Sequence, residues 1–496
     1  MLETIALDDF AQKKLEMFHQ LLSFDDGVYP LRYFKQYTDF SYARLVSLFT
    51  EMDEDLRQYS EGSLLSDEGK VVIEKEALID ISYEQFLFQE SIAYKFLFAT
   101  IAETNYRLED FCEENFISRA SVLRKLQPLI SYLKRFDINI NCSKMKITGH
   151  EAIVRLVYFN FFWLTSFGEE FFLALGEERR GPELFDDEDK QWMTYVEPRQ
   201  WFLLTSISRL RLEKDHTLGE TPFNQLVYPE TNLSYFVELE RLGLSETQVS
   251  RESDFLSYML FYWLPFFHFD DPRISYVRTY MNSKDHPLVN LLDQFQTFYI
   301  NSLDGVTLTP DELELLHINI FTTFLNHAIR EDTLPLAVDF SNDLFQDNHP
   351  LFDPLYNKIR NFLRKASQKE EYYWINNCLD HLVYSCASFL LPFFEKSKEN
   401  YQLRVGIVMF QNAIVSKSLL EFLAKLPFVN AELITSSTKD NFDFYIATSP
   451  LLLSKNVRRK GNFELITLNK IENYRSILLP ILMEKYGEKV NTFAVG

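Results

Sequence analysis

The chain has 496 residues, too long for one ordinary core; at roughly 100–200 residues per domain it divides into several. Its 14 Gly against 46 Phe and 26 Tyr favour helices packed through large aromatic side chains and argue against Gly-rich barrels and dinucleotide folds. A formal net charge of −22 opposes non-specific adhesion of the whole molecule to nucleic acid, so any such contact must come from a local reversal of sign.

The N-terminal "MLETIALDDFAQKK" has no basic segment followed by an apolar run, and the most apolar stretch, Leu156–Phe167, is 12 residues with Asn and Thr inside. That is too short to cross a bilayer, so a cytoplasmic location without a membrane partner is expected. Cys112, Cys142, Cys378 and Cys386 form no CxxC pair and have no His at zinc spacing. Neither a disulfide framework nor a metal or other cofactor is expected.

Residues 8–22 place Phe10, Leu15, Phe18, Leu21 and Leu22 at helical spacing behind two acids. "YPLRYFKQYTDF" follows, and then a helix capped by Ser41 with Leu45, Leu48, Phe49, Met52 and Leu56 on its apolar face. Two β-prone runs flank a turn at Asp67–Lys70. Helix, helix, capped helix, hairpin is the order of a winged helix-turn-helix. The order recurs: a helix over "YEQFLFQESIAYKFLFATIAE", a short helix over "RLEDFCEENF", a third helix capped by Ser118, and a wing formed by "INI" and "KMKIT". Duplication within so short a stretch strengthens both readings.

The second copy carries the reversal of sign. Between Ser118 and Thr148 stand seven basic residues, Arg119, Arg124, Lys125, Lys134, Arg135, Lys144 and Lys146, and one acid, Asp137. In a helix-turn-helix the third helix enters the major groove, while its flanks and the wing meet phosphates. Ser118, Arg119, Ser121, Arg124, Lys125, Lys134, Arg135, Lys144 and Lys146 are therefore the candidate DNA-binding residues. Pro128 lacks a backbone donor and is expected to kink or end the helix, leaving 118–127 as its reading part. In the first copy Ser41, Tyr42 and Arg44 are the candidates, but that helix turns acidic at Glu51, Asp53, Glu54 and Asp55 and is expected to assist.

The next helix reads "ITGHEAIVRLVYFNFFWLTSF", Ile147–Phe167. An ITG-x-E-x-x-x-R start running into an aromatic helix directly behind a winged motif resembles the Mga/AtxA-like family of bacterial transcription regulators. The resemblance extends over nearly the whole chain in length and order. It implies a mainly α multidomain fold: winged helix-turn-helix units at 1–80 and 81–167 with a connector helix, phosphotransferase-regulation-type helical domains at 168–290 and 291–397, and a small EIIB-like α/β domain at 398–496. It also implies double-stranded DNA as partner, a homodimer or larger homo-oligomer, and a phosphocarrier protein of the sugar phosphotransferase system acting on histidines. His268 in "WLPFFHFDDP" and His327 in "FLNHAIRED" are the leading acceptors and His216 in "KDHTLGE" the third, with His317, His349 and His381 left as structural. A phosphoryl group adds roughly −1.5 to −2 charges and would act on neighbouring carboxylates or arginines.

From 168 to 395 the pattern is helical, punctuated by "EERRGPELFDDEDK", "SLDGVTLTPDEL" and "FQDNHPLFDP". The tail alternates strand-like runs at 403–410, 431–436, 442–449 and 463–468 with helices, which calls for a small parallel sheet with right-handed crossovers. An EIIB enzyme carries an acceptor Cys after its first strand; "MFQNAIVSKS" has none, so this region is read as an interaction surface and the protein as no enzyme. The leading reading is a DNA-binding transcription regulator. The alternatives are an RNA-binding antiterminator with phosphotransferase-regulated domains and a non-catalytic relative of the phosphotransferase system.

Overall fold

The computed structural model describes residues 2–58, 63–79, 82–102, 107–168, 195, 197–220, 223, 226, 243–283, 287–302, 308–330, 351–397, 402–408, 413–426, 428–434, 442–466 and 474–494. The segments "EERRGPELFDDEDK" and "FQDNHP" and the "FQN" that follows the first C-terminal strand lie outside them. The described residues form two compact units, one from 1–264 and one from 265–333 and 342–496. That division is coarser than the five domains read from the sequence.

The first unit begins with α1 (Leu2–Ala6), α2 (Asp9–Ser23), β1 (Gly27–Pro30), a 3-10 segment (Leu31–Tyr37), α3 (Tyr42–Leu56) and β2 (Lys70–Ile73). β1 was not anticipated from the sequence; it pairs antiparallel with β2 in the register Gly27↔Ile73 to Pro30↔Lys70. The wing turn closes where expected, with Gly69 at φ +69° and its N–H donating to the Ser66 carbonyl at 2.8 Å. Glycine takes that left-handed conformation without the Cβ clash other residues meet.

The second copy follows a short helix α4 (Lys75–Ile79) and comprises α5 (Tyr83–Glu90), α6 (Ile92–Ala102), α7 (Leu108–Glu114), α8 (Arg119–Leu133), β3 (Asn139–Asn141) and β4 (Lys146–Thr148). Two expectations need correction. The single helix over 83–103 is two, because Ser91 is extended and its Oγ accepts from the Tyr94 N–H at 3.1 Å, capping α6. Nor does Pro128 end α8, which continues to Leu133. A proline in a helix interior costs ~3 kcal/mol, whereas burying a large apolar side chain stabilises by about 1.5–3 kcal/mol. Leu129, Tyr132 and Leu133, all buried beyond the proline, outweigh it and continue the seam of Val122 and Leu126.

The connector helix α9 (Glu151–Ser166) is buried on all sides, 13 of its 16 residues being inaccessible. An apolar circumference demands such enclosure. It packs against α5 and α10 (Pro198–Leu212), and its Tyr158 hydroxyl meets Thr100 at 2.9 Å so that neither buried hydroxyl is orphaned. α11 (Glu246–Tyr258) completes the labelled helices of this unit.

In the second unit α12 (Ile274–Ser283), α13 (Pro287–Ser302), α14 (Pro310–Arg330), α15 (Phe352–Ala366) and α16 (Ile375–Ser397) pack around aromatic side chains, Phe295 lying 5.6 Å from Phe324 and 5.3 Å from Phe362 between ring centroids. The C-terminal strands β5 (Leu403–Val408), β6 (Val429–Leu433), β7 (Phe444–Ala447) and β8 (Phe463–Leu465) form a sheet in the order β6-β5-β7-β8. Every pairing is parallel, as the alternation of strand and helix requires. Gly406 permits close approach in β5: a Cβ there would lie 2.5 Å from Ile434 Cδ1 and 2.9 Å from the Phe442 ring.

Candidate nucleic-acid interface

The turn between α7 and α8 sets the interface. Asp110 accepts from the Arg107 N–H at 2.8 Å to start α7. α7 ends in a Schellman turn, with Ile117 N–H donating to the Cys112 carbonyl at 3.0 Å and Phe116 N–H to the Glu113 carbonyl at 3.3 Å. Ser118 is extended, and its Oγ accepts from the Ser121 N–H at 3.2 Å, so α8 begins at Arg119. The inward seam of α8 leaves Ala120, Leu123, Arg124, Gln127 and Ser131 exposed.

The cations fall into distinct settings. Arg119 is exposed, pairs with Glu109 at 3.2 Å and donates to Ser143 Oγ at 3.2 Å, bridging α7 to the wing. Such a solvent-facing pair is worth ~0–1 kcal/mol and yields readily to a stronger anion. Arg124, Lys134 and Lys144 are exposed and make no ion pair among the described residues. Lys146 and Arg135 are exposed too, and the Arg135 guanidinium lies 5.7 Å from the rings of Tyr132 and Phe136. Lys125 differs: it turns back to Asp8, 2.8 Å away at the start of α2. Burial raises the Asp8 carboxyl, but Lys125 and the backbone donors of Ala11 and Phe10 outweigh that and hold it below the ordinary carboxylate range. Lys125 therefore ties α8 to α2, a role its sequence position did not signal.

The wing is short and well held. β3 and β4 pair from Asn139↔Thr148 to Asn141↔Lys146, Asn141 Oδ1 accepts from the Lys144 N–H at 3.0 Å, and Met145 and Ile147 are buried beneath it. Gly149 follows because a Cβ would press on Ile138 Cγ1 at 3.1 Å and the Asp137 carbonyl at 3.3 Å.

In the first copy Ser41 Oγ accepts from the Arg44 N–H at 3.3 Å, and Tyr42 is exposed. The Arg44 guanidinium is 4.0 Å from the Phe40 ring centroid, which covers one face of the cation. The acids of α3 serve structure: Asp53 accepts from Ser63 Oγ at 2.7 Å and the Leu65 N–H at 3.0 Å, and Asp55 binds Lys14 at 2.9 Å and the Tyr83 hydroxyl at 2.7 Å. Burial, then Asp55, pushes the Tyr83 hydroxyl well above its ordinary pKa.

The Glu and Arg of the ITG-x-E-x-x-x-R stretch are absorbed by a buried ion quartet. Arg155 donates to Glu151 at 3.0 Å, to Glu252 at 2.5 and 3.1 Å and to the His216 carbonyl at 3.0 Å; Arg211 donates to Glu151 at 3.0 and 2.8 Å. Burial alone would lower the Arg155 pKa, but Glu252 and then Glu151 hold it above its ordinary value. Arg211 and Glu252, which the sequence reading missed, carry no spacing that links them to α9.

Of the histidines, His216 contributes its carbonyl to this quartet, and His268 is exposed between exposed Phe267 and Phe269. Beside His268, Asp271 is buried and neutralised by Arg273 at 2.6 Å. His327 is fully buried, so a phosphodonor has no path to it in this conformation.

Residues 81–162, covering α5 to most of α9, match the Mga helix-turn-helix domain. Over that stretch the chain is similar to the Mga regulators. No curated protein matches it. A Mga helix-turn-helix domain implies DNA-binding transcription regulation, and such a regulator domain is typical of non-enzymatic transcription factors. Among the described residues no helix is long and apolar enough to cross a membrane.

Proposed function

We propose that this chain is a Mga-type regulator that grips duplex DNA with α8 in the major groove and the β3–β4 wing on the adjoining backbone. Arg119, Arg124, Lys134, Arg135, Lys144 and Lys146 supply the phosphate contacts, with Ser118 and Ser121 at the helix start, while Lys125 fixes the helix to α2. The first winged unit, with Ser41, Tyr42 and Arg44, assists. The observation that carries this reading is the set of exposed cations on α8, the turn after it and its wing in a chain of net charge −22. Two-fold DNA sites favour a homodimer or larger homo-oligomer, for which the EIIB-like C-terminal domain offers a surface. Phosphorylation by a phosphocarrier protein enters at His268, the exposed candidate, or at half-buried His216, and His327 follows only after local opening.

The test is salt-titrated DNA binding by the full chain. Each lost phosphate contact lowers the log–log slope by ~0.9, so Arg124→Ala should do so and Lys125→Ala should not. An unchanged slope in Arg124→Ala would reject the groove assignment.

A further inference from the structure

The outward face of α8 is not purely cationic. Phe116 stands in the Schellman turn before the Ser118 cap, and Ala120 and Leu123 lie three residues apart within α8, so the start of the helix presents a stripe of exposed apolar side chains. Phe116 is 97% exposed and Leu123 38% exposed, and Ala120 is exposed as well. Arg119 and Arg124 flank the stripe.

Phe116 is costly where it stands. It occupies the position after the helix cap with φ +50°, a left-handed conformation that glycine adopts freely and a phenylalanine does not. No packing offsets that strain, since almost the whole ring faces solvent. An aromatic held in glycine's place and buried by nothing in its own fold is accounted for by a ligand surface.

We propose that this stripe reads thymine 5-methyl groups in the major groove, making Phe116 and Leu123 specificity-determining residues of the DNA-binding face. The inference rests on the DNA reading above. The occupant follows from the surroundings: the apolar side chains sit at the start and on the exposed face of the groove-entering helix, between cations that would reach the flanking phosphates. In the major groove the apolar feature of the bases is the thymine methyl, which Ala and Phe side chains contact. The stripe therefore favours sites with thymine opposite the helix start.

The experiment uses the full chain. Duplexes are selected from a library with a random core, the winning duplex is resynthesised with deoxyuridine in place of each core thymidine, and affinities are measured across salt. The wild type should lose about fourfold per contacted methyl. Phe116→Gly and Leu123→Ala should bind the thymine duplex more weakly and lose most of the thymine–uracil difference, with an unchanged salt slope because no counterion is released. Phe116→Gly should also melt higher than wild type, which separates loss of a contact from loss of fold. Salt-dependent binding with no thymine–uracil difference, or selected cores without thymine, overturns the stripe's role and leaves the DNA reading standing. Absence of any salt-dependent binding by the wild type overturns both. A change of oligomeric state in Phe116→Gly, with no effect of uracil, assigns the stripe to a second copy and rejects the proposal.

Discussion

Replacing Glu252 by leucine removes one charge from the quartet of Arg155, Glu151, Arg211 and Glu252. All four side chains are 10% exposed or less, and Arg155 and Glu252 are fully buried. In the wild type two guanidinium groups face two carboxylates. In Glu252→Leu, Glu151 is the one carboxylate of the quartet left, Arg155 loses its fully buried counter-charge, and the Leu218 N–H loses the Glu252 oxygen it donates to at 3.3 Å. Breaking a buried pair from one side costs ~3–5 kcal/mol. At about 2–4 °C per kcal/mol for a unit of this size, the transition of residues 1–264 should fall by about 6–20 °C. Adding Arg155→Met restores charge balance around the remaining Arg211–Glu151 pair, so the double variant should be less destabilised than the sum of the singles by ~2–3 kcal/mol. Calorimetric scans read the transition, and hydrogen exchange of the α9 amides assigns it. A shift of Glu252→Leu below ~1 kcal/mol, or strict additivity in the double variant, would refute the argument that the quartet is held by charge balance.

Asp8 gives a pH-dependent effect. Its carboxyl is lower in the folded protein than in the unfolded chain, so its contribution is complete above the unfolded value near ~3.9 and disappears as pH falls through the folded value. Asp8→Asn should therefore be less stable than wild type at neutral pH and converge with it in acid; urea midpoints that differ equally at pH 7 and at pH ~2 would contradict the pairing with Lys125. Gly406→Ala should destabilise the C-terminal sheet by about 1–3 kcal/mol, since Ile434 and Phe442 leave no room for a methyl group; unchanged exchange of the β5 amides would show that they yield. The salt slope of Arg124→Ala and the thymine dependence of Phe116→Gly complete the set.

Much of the regulator was legible before folding because it depends on local chemistry. Ser41 and Ser118 marked the starts of α3 and α8, Gly69 marked a wing, and alternating strands and helices announced a parallel sheet, each through a preference acting over a few residues. The positive island of 118–148 was visible for the same reason, since its cations are close in sequence. What the chain alone did not disclose was which of those cations would face solvent. Lys125 and Arg124 are neighbours, yet successive residues on a helix point about 100° apart, and the packing of α8 on α1 and α6 sent one toward Asp8 and left the other exposed.

Burial likewise decided the fate of Pro128, of the acids on α3, and of the Glu151–Arg155 pair, whose partners Arg211 and Glu252 lie 60 and 97 residues away. Charge, cap and period are properties of a segment and belong to the sequence. Partnership across such distances exists once the chain has closed, because desolvation compels each buried charge to find its opposite wherever the fold has brought one.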